Sequence, residues 1–263
     1  MVFTLWTDDP ALAAAAACAG VGRIGPDLER LGKRRRQPAP GHLFSGHSPA
    51  ALASLRQVIG AARLHVRTNP PHPGLAGELE ACLEAGVTSM MLPMVRRVSD
   101  AREVVERIRG RAEVIVMVEH ADALPIVDEL VALDGVADIY VGVNDLALSL
   151  GLPSRFDVLA SGVVDAIAES VHRRGLGFGF FGLARPGDTD LPVPSDLVYA
   201  DQARLGATSF ILARSFRATA ASIGEGMASA RARLEFWRSR PDAELAAAHA
   251  ALQRHCGLMR TQG

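Results

Sequence analysis

Five apolar runs in this chain end in charge, and those endings hold most of the side chains able to do chemistry. RIGPDLE ends in Asp27 and Glu29, LHVRTN in Arg67 and Asn69, VIVMVEH in Glu119, IYVGVND in Asn144 and Asp145, and FILARS in Arg214 and Ser215. Glu119 and Asp145 close two consecutive runs. On neighbouring parallel strands, about 4.8 Å apart, both carboxylates would reach one cation. Two carboxylates completed by water and substrate oxygens describe an octahedral Mg²⁺ or Mn²⁺ site; without a cation they would repel each other or share a proton. Either acid alone could simply cap the helix that follows. Two in succession beside an arginine favour the cation. The planar fork of Arg67 suits a carboxylate or an enolate oxygen next to that metal, with a structural ion pair to Glu29 or Glu119 as its other use. Asp27 and Glu29, two apart, point the same way only while their strand stays extended. His47, in a loop before Pro49, is the best placed of the eight histidines for acid or base work, a plain surface position being the alternative.

These groups need elements to hold them. Short β-rich apolar runs alternate with helical patterns from the start, the signature of parallel βαβ units. The expected strands are 2–7, 23–28, 64–68, 89–94, 113–119, 138–143, 177–181 and 209–212. Helices are expected near 10–19, 49–62, 74–85, 99–110, 121–133, 162–174 and 195–205, with a last one from about 224. Asp8 or Asp9 can cap the first helix ahead of Pro10, Ser48 precedes Pro49 at another start, and Gly86, Gly110 and Gly175 close three more. Eight such units predict an α/β fold, a (β/α)₈ TIM barrel over 1–223 with a helical extension over 224–263 that packs on its own barrel or on a neighbouring subunit. In such barrels the groups that do chemistry sit at the C-terminal ends of strands. No G-x-G-x-x-G follows a strand and opens a helix, which argues against an open nucleotide-binding sheet. The run GFGFFG at 177–182 reads as a strand with close backbone packing rather than a phosphate cradle.

Composition narrows the partner. With 28 Lys+Arg against 29 Asp+Glu and 49% hydrophobic residues, the chain is a globular domain with no field for nucleic acid or an anionic membrane. The basic cluster KRRR at 33–36 is read as a local, solvated or anion-handling edge. Three widely spaced cysteines suggest neither a disulfide framework nor a zinc cluster and fit a reducing cytoplasm. The alanine-rich run 11–17 follows Asp8 and Asp9 where a secretory signal would be positive, and no stretch reaches the roughly 18 apolar residues of a membrane span. A small molecule is the expected partner, bound by a homo-oligomer.

The same residues resemble the HpcH/HpaI aldolase and citrate lyase β-subunit superfamily, Mg²⁺- or Mn²⁺-dependent barrels of the phosphoenolpyruvate/pyruvate-binding type. The likeness runs from about residue 3 to 216 and rests on DLE at 27–29 with Lys33 behind it, VRTNP at 66–70, EAGVTSMMLPMV at 84–95, the strand ending in Glu119, and GVNDLALSLG at 142–151. It implies that Glu119 and Asp145 are metal ligands and that Arg67 binds the carboxylate or enolate of the substrate. It also makes Asp27, Pro93, Asn144 and Arg214 candidate substrate contacts, with Glu29 and His47 as candidate proton acceptors. Two features depart from the aldolase pattern. Arg30 stands where hydroxy-acid aldolases carry a histidine after the acid pair, and the long insertion after the fourth helix is absent. The implied activity is a metal-dependent carbon–carbon lyase or aldolase acting through an enolate of pyruvate or a related α-keto acid. Two alternatives remain: a CoA-thioester lyase or condensing enzyme, with Arg34–Arg36 meeting the CoA phosphates, and a non-catalytic barrel that binds a small acid.

Overall fold

Side chains alternate along each strand between two environments, and that alternation separates a barrel lining from an outer layer. The computed structural model describes residues 1–36, 46–188, 191–217 and 220–261. Its strands are β1 (Val2–Trp6), β2 (Arg23–Gly25), β3 (Arg63–Arg67), β4 (Ser89–Leu92), β5 (Glu113–Val118), β6 (Val136–Val141), β7 (Gly177–Phe180), β8 (Gly182–Leu183) and β9 (Ser209–Leu212). All pair in parallel, in the order β7-β6-β5-β4-β3-β2-β1-β9-β8. Phe3, Ile24, Val66, Val116, Ile139 and Phe210 point outward into one continuous core beneath the helices. Trp6, Met91, Ile115, Met117 and Tyr140 form a separate cluster that fills the barrel.

The seventh expected strand is broken in two. Phe181 takes φ 56, a left-handed turn costly for a bulky residue, so Gly177–Phe180 pairs with β6 while Gly182–Leu183 pairs with β9. The ring closes at this break, where the Thr208 N–H donates to Phe178 O at 2.8 Å. The two halves together make the seventh of the eight members of a TIM-type barrel, and β9 is the eighth. Phe178 and Phe180 are fully buried on the outside. Gly179 faces inward, where a Cβ would lie 2.3 Å from Ser209 O and 2.5 Å from the Tyr140 ring. The glycines of GFGFFG therefore make room inside the barrel, as a strand reading requires.

The helices are α1 (Pro10–Cys18), α2 (Lys33–Arg36), α3 (Leu52–Val58), α4 (Leu75–Glu84), α5 (Val98–Ile108), α6 (Val127–Val131), α7 (Val143–Ser149), α8 (Arg155–Ala160), α9 (Val163–Arg173), α10 (Ser195–Arg204), α11 (Ala220–Arg238) and α12 (Asp242–Thr261). Asp9 caps α1, accepting from the Ala11 N–H at 2.8 Å, and Ser48 caps the 3₁₀ turn ahead of α3. Gly86, Gly110 and Gly175 all take positive φ just past their helices. The stretch 121–133 is a 3₁₀ helix leading into the short α6, because Pro125 has no N–H to continue an α-helical ladder. Two helices appear where none was expected, between β6 and α9. β6 stops at Val141, the chain turns at Gly142, and Asn144 and Asp145 lie in the first turn of α7 rather than on a strand end. An acid there also meets the positive end of the helix. The last expected helix starts at Ala220 and packs on α1 and α10, completing the outer ring, while α12 lies over α8 and α10 of the same chain. Among the described residues no helix is long and apolar enough to cross a membrane.

A buried ion network forms the barrel floor. Arg23, 4% exposed, donates to Asp138 at 2.7 Å, to Glu113 at 3.2 Å and to Ser209 Oγ at 3.2 Å. Removing one partner of such a network strands the others in low dielectric. Arg23→Met is therefore expected to lower unfolding free energy by about 3–5 kcal/mol in urea denaturation. A loss under about 1 kcal/mol, the level of an exposed pair, would contradict this.

Candidate active site

At the C-terminal mouth of the barrel, β5 runs out at Val118 and delivers Glu119 inward, 3% exposed. Met94 follows β4 with φ 56, and its N–H donates to Glu119 Oε1 at 2.8 Å. Gly142 forms the other wall, since a Cβ there would lie 2.3 Å from Glu119 Oε2. The turn that ends β6 is thus also what leaves room for this carboxylate. Three residues on, Asp145 is buried in the first turn of α7 and accepts from Arg36 Nε at 3.2 Å.

Across the mouth, Arg67 ends β3 and grips Asp27 with two hydrogen bonds, Nε to Oδ1 at 2.8 Å and Nη2 to Oδ2 at 2.6 Å. Its Nε is also 3.3 Å from Glu29 Oε2, and its guanidinium carbon lies 5.7 Å from the centre of the Trp6 ring. Pro26 follows the end of β2, yet Asp27 still bridges Arg67 in parallel and the Leu28 N–H donates to Arg67 O at 2.9 Å. Asp27 and Glu29 therefore face the same cations without a continuous strand. Lys33 reaches both acids, at 3.1 Å and 3.0 Å, and Arg36 pairs with Glu29 Oε1. The fork of Arg67 is engaged by Asp27 and Glu29, part of the structural use open in the sequence.

The electrostatics divide the four acids. Burial alone would raise the Asp27 carboxyl, but Arg67 and Lys33 overcome it and hold it well below the usual carboxylate range. Burial would likewise lower Arg67, and Asp27 and Glu29 reverse the sign and fix its charge. Glu119 goes the other way. Burial, then the charges of Glu29 and Asp145, push it up to about 8 against Arg67 and the Met94 N–H. It is the acid at this mouth with too little positive charge around it.

The other expected residues fall in different places. His47 is beside the site, where its Nδ1 accepts the Asp27 N–H at 3.0 Å and its Nε2 is 3.8 Å from Asp8. Arg30 donates to His47 O at 2.7 Å. Pro93 is buried next to Met94, whereas Asn144 is exposed. Arg214 is exposed after β9, and its charge acts on Arg155, whose guanidinium carbon lies 5.2 Å and 5.3 Å from the Phe156 and Phe181 ring centres. Burial first and then Arg214 lower the Arg155 pKa. The sequence reading missed Met94, Gly142 and Arg36. The KRRR cluster is not simply a solvated edge, since Lys33 and Arg36 turn inward. The signal was there in the spacing of Glu29 and Lys33, four apart in the sequence. Among the described residues no group of three or more His, Cys, Asp or Glu side chains is gathered as a metal cage.

Comparison with known proteins gives a consistent set of likenesses. Residues 47–171 match the family described as HpcH/HpaI aldolase/citrate lyase. A hydroxypyruvate/pyruvate aldolase from Sagittula stellata is 29% identical over 140 residues, 41% of this chain and 55% of that protein. The chain thus spans about half the length of that curated relative. The fold is that of an HpcH/HpaI aldolase from Desulfitobacterium hafniense, at TM-score 0.62 and 16% identity over 91% of this chain and 93% of the other. Protein CitE from Mycobacterium tuberculosis, solved with magnesium and pyruvate, matches at TM-score 0.60 and 20% identity over 96% and 97% of the two chains.

Proposed function

We propose that this chain, whose residues 47–171 match the HpcH/HpaI aldolase/citrate lyase family, is a carbon–carbon lyase of the aldolase type, acting on pyruvate or a related α-keto acid with a divalent metal. One observation carries the reading: Glu119 is buried, and that burial with the charges of Glu29 and Asp145 pushes its pKa up to about 8, so the mouth of the barrel is short of positive charge next to the Arg67 fork. A carboxylate just after β5 and one in α7 are oxygen donors of the kind Mg²⁺ and Mn²⁺ take, and water and substrate would complete the remaining positions. The residues fit the ion. The relative solved with magnesium and pyruvate supports the same choice.

Glu119 and Asp145 would hold the metal, which when bound supplies a Lewis acid for the keto acid oxygens. Arg67, kept charged and aimed by Asp27, meets the carboxylate or the enolate oxygen. In the retro-aldol direction the substrate hydroxyl loses its proton, the C–C bond breaks towards the keto acid, and its electron pair is held as an enolate until a proton returns. Of the two side chains the sequence offered as acceptors for that proton, His47 has its Nδ1 lone pair taken by the Asp27 N–H. Glu29, beside Arg67, is the acceptor proposed, its Oε1 becoming available when Arg36 moves away. Trp6 and Met117 line the barrel beneath Arg67 and keep bulk water from the enolate. Arg36 is engaged by Glu29 and Asp145 instead of facing a phosphate, which takes away one of the three arginines the CoA-thioester alternative would use.

Pyruvate or hydroxypyruvate with a panel of aldehydes, in Mg²⁺, Mn²⁺ or Co²⁺ and in chelator, tests the proposal. Turnover is expected only with metal, and Glu119→Ala or Asp145→Ala should be silent. Full activity of either variant in chelator would sink the metal assignment. No turnover with any pair, alongside stabilisation by a small acid, would make the barrel a binder.

A further inference from the structure

Two of the acids at the mouth are already joined by a cation. Arg36, the last residue of α2, donates from Nε to Asp145 Oδ1 at 3.2 Å, pairs through Nη2 with Glu29 Oε1, and donates from Nη1 to Leu31 O at 3.3 Å. Its guanidinium spans an acid that follows β2 and an acid in α7, 3% and 7% exposed. Glu29 has other partners for its second oxygen, Lys33 at 3.0 Å and Arg67 at 3.3 Å. At Asp145, Arg36 holds Oδ1, one of the two oxygens this acid can offer a divalent ion.

We infer that Arg36 is an internal counter-cation that ties Glu29 to Asp145 until a divalent ion binds, and that metal affinity is set by competition between that ion and this guanidinium. The inference rests on the proposed metal-holding role of Glu119 and Asp145. A guanidinium and a divalent ion on one carboxylate repel each other over a few ångströms, so one must leave. Arg36 can leave because the incoming ion replaces its charge beside Asp145. It sits on a four-residue helix with its side chain 19% exposed, and moving it breaks hydrogen bonds and ion pairs without opening the core. Its departure also frees Glu29 Oε1, the proposed proton acceptor, which links loading of the site to its base.

Mn²⁺ binding to the full chain, read by electron paramagnetic resonance and calorimetry without substrate, tests this directly. Arg36→Gln is expected to bind Mn²⁺ about tenfold or more tighter than wild type, having lost two charge-assisted bonds that compete with the ion. Arg36→Lys should fall between, because an ammonium keeps the charge but cannot bridge both acids as a planar fork does. Arg35→Gln removes the same charge from an exposed position on the same helix and should stay within about twofold. Equal shifts in the Arg35 and Arg36 variants, or none in Arg36→Gln, would overturn the counter-cation while leaving the metal reading standing. Unchanged Mn²⁺ binding in Glu119→Gln and Asp145→Asn would remove the metal reading and this inference with it.

Discussion

Arg67→Met is expected to lower kcat/KM for the keto acid by about 10²- to 10³-fold or more, the usual effect of losing a preorganised donor at a developing oxyanion. Part of any loss will be structural, because Arg67 also neutralises Asp27 and Glu29 inside the barrel mouth. Arg67→Lys separates the two. An ammonium restores charge near both acids but cannot make the paired bonds now made at 2.8 and 2.6 Å. The lysine variant should therefore recover most of the stability and little of the rate. Rates are compared at equal folded fraction. Recovery of wild-type kcat by lysine would show that Arg67 acts only as a charge, and an unchanged kcat with a raised KM would limit it to ground-state binding.

Glu119→Gln should destroy metal-dependent turnover and yet stabilise the metal-free protein. Glu119 is raised in the fold to about 8 by burial and by the charges of Glu29 and Asp145. The unfolded chain gives up this proton near pH 4.5, the folded chain only near 8, so the unfolded state gains on the folded one throughout that window. The stability this group contributes is complete below pH 4.5, falls as pH rises, and is gone above about 8. Glutamine cannot ionise and keeps an oxygen for the Met94 N–H. In chelator, the variant should match wild type near pH 4.5 and exceed it by roughly 2–4 kcal/mol near pH 8, measured by urea titration across pH. With Mn²⁺ added the order should shrink or reverse, since only wild type gains from binding. A wild type no less stable than the variant at pH 8 in chelator would mean that Glu119 has its charge compensated in some other way.

The barrel was legible because inward and outward faces of a parallel strand differ in chemistry, and eight apolar runs, five of them ending in charge, record that difference. The glycine–phenylalanine alternation at 177–181 recorded it too, once its small residues were assigned to the inside. Arg67, Asp27 and Glu29 could be singled out for the same reason, as charges at the ends of buried runs. The sequence did not show that they would be bound to one another. Nor did it show that Asn144 and Asp145 belong to a helix. β6 ends at a glycine required by contact with Glu119 from the neighbouring strand, a long-range cause that no local pattern carries. Arg36 was hidden for a related reason. A run of four basic residues looks the same in sequence whether it faces water or two buried acids, and only the placement of α7 beside Glu29 decides between them.

Proton exchange at the methyl group of pyruvate in D₂O, followed by NMR without any aldehyde, tests the central claim most directly, because it reads enolate formation before an acceptor matters. Wild type with Mg²⁺ or Mn²⁺ should exchange the methyl protons. Chelator, Glu119→Gln, Asp145→Asn and Arg67→Met should each reduce exchange to the solution rate. Exchange that persists in chelator and in the Glu119 and Asp145 variants, or is absent from wild type with every metal, would contradict a metal- and Arg67-stabilised enolate in this barrel.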